Sequence, residues 1–130
     1  MQTIVKWVGW ALALFMIMMG VMKFLPMSPP IFQIIEINTG LDFINPAFKY
    51  LTSLLEIVAG VLLFINRPKG ALLSLIIIGG AIVAHLTVLG IQTPTGPELD
   101  SATSPMLFIM AIMSFAVAAF VWWGSRVKTA

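Results

Sequence analysis

The chain contains no cysteine. That absence excludes disulfides, thiolate metal centres, iron–sulfur clusters and C-x-x-C redox chemistry. Histidine is nearly as scarce. With His85 alone, one chain cannot supply two imidazoles to a haem. Charge is sparse as well: seven basic and five acidic residues make up 9% of 130 positions, against roughly 25% in an average soluble domain. A domain this short leaves much of its surface exposed, and so few charges cannot make that surface water-compatible. The net charge of +2 comes from scattered residues, so no basic cluster marks a nucleic-acid partner.

What the chain has instead is apolar surface. Hydrophobic residues make up 60% of it, and its mean hydropathy is +1.06. Residues 1–130 read as one small integral membrane domain whose first partner is the lipid bilayer. A membrane-crossing helix needs about 20 apolar residues. Four stretches meet that length, at about 4–22, 46–65, 70–91 and 105–123. The expected fold is therefore all-α: a four-transmembrane-helix bundle of up-down topology.

Local signals punctuate these spans. Lys23 and Pro26 close the first, and Asn45-Pro46 opens the second as an N-cap followed by proline. Asn66-Arg67-Pro68 ends the second, Thr93-Pro94 ends the third, and Ser104-Pro105 opens the fourth. Ala11-Leu12-Ala13 lies inside the first apolar run, where a cleavage site should follow it, so that span is expected to be retained. Gly80-xxx-Ala84 and Ser114-xxx-Ala118 have the spacing that lets membrane helices approach closely.

Basic residues set the expected orientation. Lys6, the Arg67–Lys69 turn, Arg126 and Lys128 fall on one side, with Trp7, Trp10, Trp122 and Trp123 near them. Lys23 and Lys49 share the other side with Glu36, Asp42, Glu98 and Asp100. This distribution puts both termini in the cytoplasm, and the expected location is the bacterial inner membrane.

Two external loops then remain. In the first, Ser28 can cap, Pro29 or Pro30 can start a helix, and Gly40 can end it. Ile31, Ile34, Ile35 and Asn38 share one face of that helix, with Phe32 close by. Such a helix suits a place on the outer leaflet as a short interfacial element, or over a cavity as a lid. The second loop, QTPTGPELDSATS, reads as irregular.

Within the spans, the ionisable residues away from the ends are Glu56 and His85. Glu56 lies six residues beyond Tyr50, roughly 9 Å deep at 1.5 Å per residue, and His85 lies six residues before Ile91. Their depths match on antiparallel helices. Lys23, at the end of the first span, can snorkel outward or turn inward toward them. Thr52, Glu56 and Gly60 share a helical face, and Gly20 lies one turn before Lys23. A carboxylate in hydrocarbon must be paired, hydrated or protonated. Lys23, Glu56, His85, Thr52, Gly20 and Gly60 are thus the candidate ligand-binding residues, in the outer half of the bundle. The alternatives are that Glu56 bonds His85 or a backbone group and locks the helices together, or that it meets another subunit in a homo-oligomer. The sequence shows no stand-alone catalytic constellation and no metal-binding one.

GVMKFLP (Gly20 to Pro26), LEIVAGVLLFINRPKGA (Leu55 to Ala71) and AIVAHL (Ala81 to Leu86) resemble the corresponding segments of the DoxX and DoxX-like family of small four-helix membrane proteins. The likeness extends over nearly the whole chain, and it carries Gly20, Lys23, Glu56, Gly60 and His85 over as the residues of interest. It implies an up-down bundle associated with quinone-linked respiratory complexes or with membrane assemblies that counter oxidative stress. The family is also similar to membrane chaperones that assist nicotinic-receptor assembly.

Three functions compete on this basis. The first is a membrane subunit that binds a hydrophobic ligand, with quinone as the candidate cofactor and a membrane or redox protein as partner. The second is a scaffold or assembly chaperone for another membrane protein, with nine methionines giving an adaptable surface. The third is a small proton-coupled transporter built around Glu56.

Overall fold

In the computed structural model, residues 2–25 and 29–126 are described, without the side chain of Pro46. Pro26, Ser28 and Lys128 lie outside the described residues, as does the side chain of Pro46 as a helix-starting signal.

Helix dominates, as the composition requires. Helix α1 spans Gln2–Met22, α2 Ile31–Thr39, α3 Lys49–Ile65, α4 Arg67–Ala84 and α5 Met106–Arg126. A kinked segment at Ile44–Phe48 leads into α3, and a wide, π-type turn at His85–Leu89 extends α4. Among the described residues, three helices are long and apolar enough to cross a membrane: α1, α4 with its extension to Leu89, and α5. The bilayer is therefore the chain's natural solvent. Helix α3, with 17 residues, sits at the lower limit of such lengths.

Neighbouring long helices run antiparallel. Along α1 and α3, Gly20 meets Ser53 and Ile57, while Gly60 meets Ala13 and Ile17. Between α1 and α5, Gly9 lies by Val121 and Gly124 by Val5. Helices α3 and α4 form a hairpin with one intervening residue, Asn66, whose amide donates 2.6 Å to the Leu62 carbonyl. The core joins Val5, Leu12 and Met16 of α1 to Ala59 and Leu63 of α3, with Ala71 and Ile78 of α4 and Ala118 and Val121 of α5.

Several boundaries differ from the sequence expectation. Helix α4 begins at Arg67 rather than Gly70, because Pro68 fits the first turn, where its missing N–H is no loss. Asn45 does not cap with its side chain. Its backbone is extended (φ −125°, ψ 119°), and its N–H donates to the Glu36 carboxylate at 3.2 Å. Ser104 does accept from the Met106 amide at 3.2 Å at the start of α5. The second loop contains a short antiparallel pair, β1 (Thr93–Pro94) and β2 (Thr103–Ser104).

The small-residue pairs also separate in role. Ala118 is fully buried, but a side chain added at Gly80 would meet nothing within 4 Å. Gly80 is therefore not a point of close helix contact, and it borders the cavity described next.

Candidate functional site

At the end of the bundle away from the α3–α4 hairpin, the helices line a partly open cavity of about 370 Å³. Most of its wall is apolar, with Phe15 and Met16 from α1, Ile78 from α4 and Met110 from α5. Pockets for small ligands have this character: a hydrophobic surround with few polar groups fixing orientation. Here the polar side chains are Lys23, Thr52, Glu56, His85 and Ser114.

Lys23 follows the last turn of α1, and its stem folds inward. Its ammonium donates to Glu56 Oε1 at 2.5 Å and lies 3.4 Å from the Met19 carbonyl. Of the two directions open to this lysine, the structure shows the inward one. Pairing follows from burial, because the Glu56 side chain is only 9% exposed and that of Lys23 17%. An isolated charge there would cost several kcal/mol.

Glu56 does not bond His85. The His85 ring instead reaches along its own chain, with Nδ1 2.8 Å from the Gly90 carbonyl. A carbonyl only accepts, so Nδ1 carries the proton in this contact, and in that tautomer Nε2 is an acceptor. Of the partners considered for Glu56, His85 is therefore not the one it meets; Glu56 joins α3 to the end of α1 through Lys23. The wide turn at His85–Leu89 and the positive φ of Gly90 (91°) bring that carbonyl back to the ring. Phe108 of α5 flanks the imidazole, with centroids 5.5 Å apart.

Thr52 also lines the cavity, one turn before Glu56. Among the described residues, its hydroxyl makes no hydrogen bond, and neither does Glu56 Oε2 or His85 Nε2. Ser114 differs, donating to its own helix at Met110 O, 2.7 Å away.

Gly20 and Gly60 belong to the helix seam, not to the cavity wall. A Cβ on Gly20 would lie 2.7 Å from both the Ser53 carbonyl and Ile57 Cγ1. On Gly60 it would lie 2.5 Å from Ile17 Cγ1 and 2.8 Å from the Ala13 carbonyl. Their lack of side chains lets α1 and α3 touch, and that contact brings Lys23 to Glu56. Ser53, which the sequence reading passed over, strengthens the seam by donating from its buried hydroxyl to the Gly20 carbonyl. Its position three residues before Glu56 was the available signal, since i, i+3 places it on the same face.

Helix α2 roofs the cavity. Ile31, Phe32 and Ile35 face into it, and Phe32 packs at a tilt on Phe48, with centroids 6.0 Å apart. Asn38 Nδ2 donates to the Val88 carbonyl at 2.5 Å, joining the roof to the extension of α4. The shared face of Ile31, Ile35 and Asn38 is thus turned onto the bundle, while Gln33 and Ile37 point away.

The described residues include no group of three metal-ligating side chains. Comparison with family models, curated proteins and solved structures gave no match.

Proposed function

We propose that this chain is a four-span membrane subunit that binds a hydrophobic ligand in the cavity beneath α2. One observation carries the reading: Lys23, Thr52, Glu56 and His85, drawn from three helices, meet at a single apolar chamber. Nothing about helix packing requires that convergence, because the α1–α3 seam is already closed by Gly20, Gly60 and Ser53.

The fourth span is α3. Its 17 residues reach about 25 Å at 1.5 Å per residue, and Phe48 directly before it is already helical (φ −68°, ψ −33°). It lies antiparallel between α1 and α4, so two membrane-crossing neighbours carry it through the same slab. An even number of spans leaves both termini on one side. The hairpin end gathers the basic residues and indoles: Lys6 sits 4.9 Å from the Trp10 ring and Arg126 4.5 Å from that of Trp122. Cations concentrate on the cytoplasmic side and indoles mark an interface, so that end faces the cytoplasm and α2 faces outward. In this arrangement the inner membrane of a bacterium is the setting, and α2 has an interfacial outer face.

The resemblance to the DoxX family supplies the redox context, with a quinone-type molecule, in its quinone or quinol form, as ligand and a membrane oxidoreductase as the system served. The test is purification in mild detergent, followed by extraction and mass spectrometry. Wild type should bring a stoichiometric lipid-soluble compound, and a Glu56→Gln, His85→Ala double variant should lose it. A ligand-free wild type that neither quinone nor quinol stabilises would refute the proposal.

A further inference from the structure

The cavity wall is not equally closed on all sides. Its residues from α1 and α5, such as Phe15, Met16, Met19, Leu107 and Met110, are all buried or half-buried. Those exposed at the outside of the bundle belong to α4, to α3 and to the segment leading into α3: Ile76, Gly80 and Ala81, Leu55, and Phe48. Helices α3 and α4 are held together at their hairpin, where Gly70 lies against the backbone of Leu62 and Leu63. Beyond Ile78, α4 has no buried residue until His85. The space outside Gly80 is empty to 4 Å. These observations describe a side opening between α3 and α4 at the depth where lipid chains lie.

The polar atoms inside are unequal too. Lys23 is engaged by Glu56 and Met19, whereas Glu56 Oε2 and His85 Nε2 are acceptors without a protein donor among the described residues. A guest offering only carbonyl oxygens leaves both unmatched, which costs affinity by about tenfold or more per group. A guest with a hydroxyl donor satisfies one of them.

We propose that the cavity is loaded sideways from the bilayer through the α3–α4 gap, and that it selects a membrane-soluble molecule with a hydroxyl-donating, phenol-class head. This rests on the ligand-binding reading above and names the guest's chemistry and route. Phe15, Phe32 and Phe48 give an aromatic head ring surfaces, and the gap leaves an alkyl tail in lipid.

The test uses the full chain in lipid nanodiscs with two probes of nearly equal shape, 4-decylphenol and 4-decylanisole, corrected for partition into empty discs. The phenol should bind wild type about tenfold or more tighter, because the anisole cannot donate. His85→Phe should reduce that preference severalfold. Gly80→Phe, whose ring has open space to occupy, should slow phenol association about tenfold and leave the preference intact. Ile112→Phe, on the outer face of α5, should change neither. Equal binding of both probes, or an unchanged association rate in Gly80→Phe, overturns this inference and leaves the ligand-binding reading standing. Binding of neither probe overturns it as well, and extraction of a bound compound from the purified protein then decides the parent reading separately. Should His85→Phe fail to fold, the probe comparison on wild type and the Gly80→Phe rate still decide.

Discussion

Lys23 and Glu56 meet at 2.5 Å across the α1–α3 seam, and the seam itself sets that distance. Gly20, one turn before the lysine, rests against Ser53 and Ile57, so the two helices approach as closely as their backbones permit. The ion pair is then the upper end of a row of contacts that begins at Gly60. Small residues therefore govern where the charges lie, although they touch no ligand.

The pair should be strongly coupled. Lys23→Met or Glu56→Gln alone leaves a poorly hydrated partner, and each should lower stability by about 3 kcal/mol. The double variant should recover much of the sum, because no charge is left unpaired. Unfolding of the four proteins in mixed micelles gives the double-mutant cycle. Additive losses would show that the two groups act independently.

Gly20 supplies a steric test of the same seam. Gly20→Val places methyl groups where Ser53 O and Ile57 Cγ1 already stand 2.7 Å from a bare Cβ. Helix separation should follow, at a cost of about 1–3 kcal/mol. Gly80→Ala should be nearly neutral by the same thermal-unfolding measurement, since nothing lies within 4 Å. A similar loss at both positions would contradict the seam.

The two glycines also show how far the sequence could be read. Hydropathy located the long helices, and Ser104-Pro105 marked the start of α5, because these signals are local. Matching depth put Glu56 and His85 at one level, and both line one cavity. Partners were harder to read. The Gly90 carbonyl reaches His85 only through the wide turn after α4, and backbone geometry of that kind leaves no side-chain signature. Lys23 had two directions available, and packing rather than composition chose between them. Gly20 and Gly60 looked like space beside polar groups, since a glycine reads the same whether its neighbour is a cavity or another helix. The apolar face of α2 was visible, but the same face suits a leaflet or a roof.

The roof should open when its tie is cut. Asn38 Nδ2 joins α2 to Val88 O at 2.5 Å, and Asn38→Ala removes that bond at a cost of about 1 kcal/mol. The chain has no cysteine, so a single Thr52→Cys reports on the cavity alone. Its reaction with a small maleimide should quicken severalfold in the Asn38→Ala background. An unchanged rate would show that the tie does not hold the roof.

The same freedom from cysteine allows the orientation to be tested residue by residue. With four spans and the hairpin end inside, Lys6→Cys, Lys69→Cys and Arg126→Cys should be protected from a membrane-impermeant maleimide in intact cells. Asp42→Cys and Glu98→Cys, in exposed segments at the α2 end, should react at once. Permeabilised cells should label at all five positions. If α3 failed to cross, the α2 end and the hairpin end would no longer sort into opposite groups: Asp42 and Lys69, which flank α3, would react alike. That pairing isolates the contribution of α3, the one long helix whose 17 residues lie at the lower limit of spanning length.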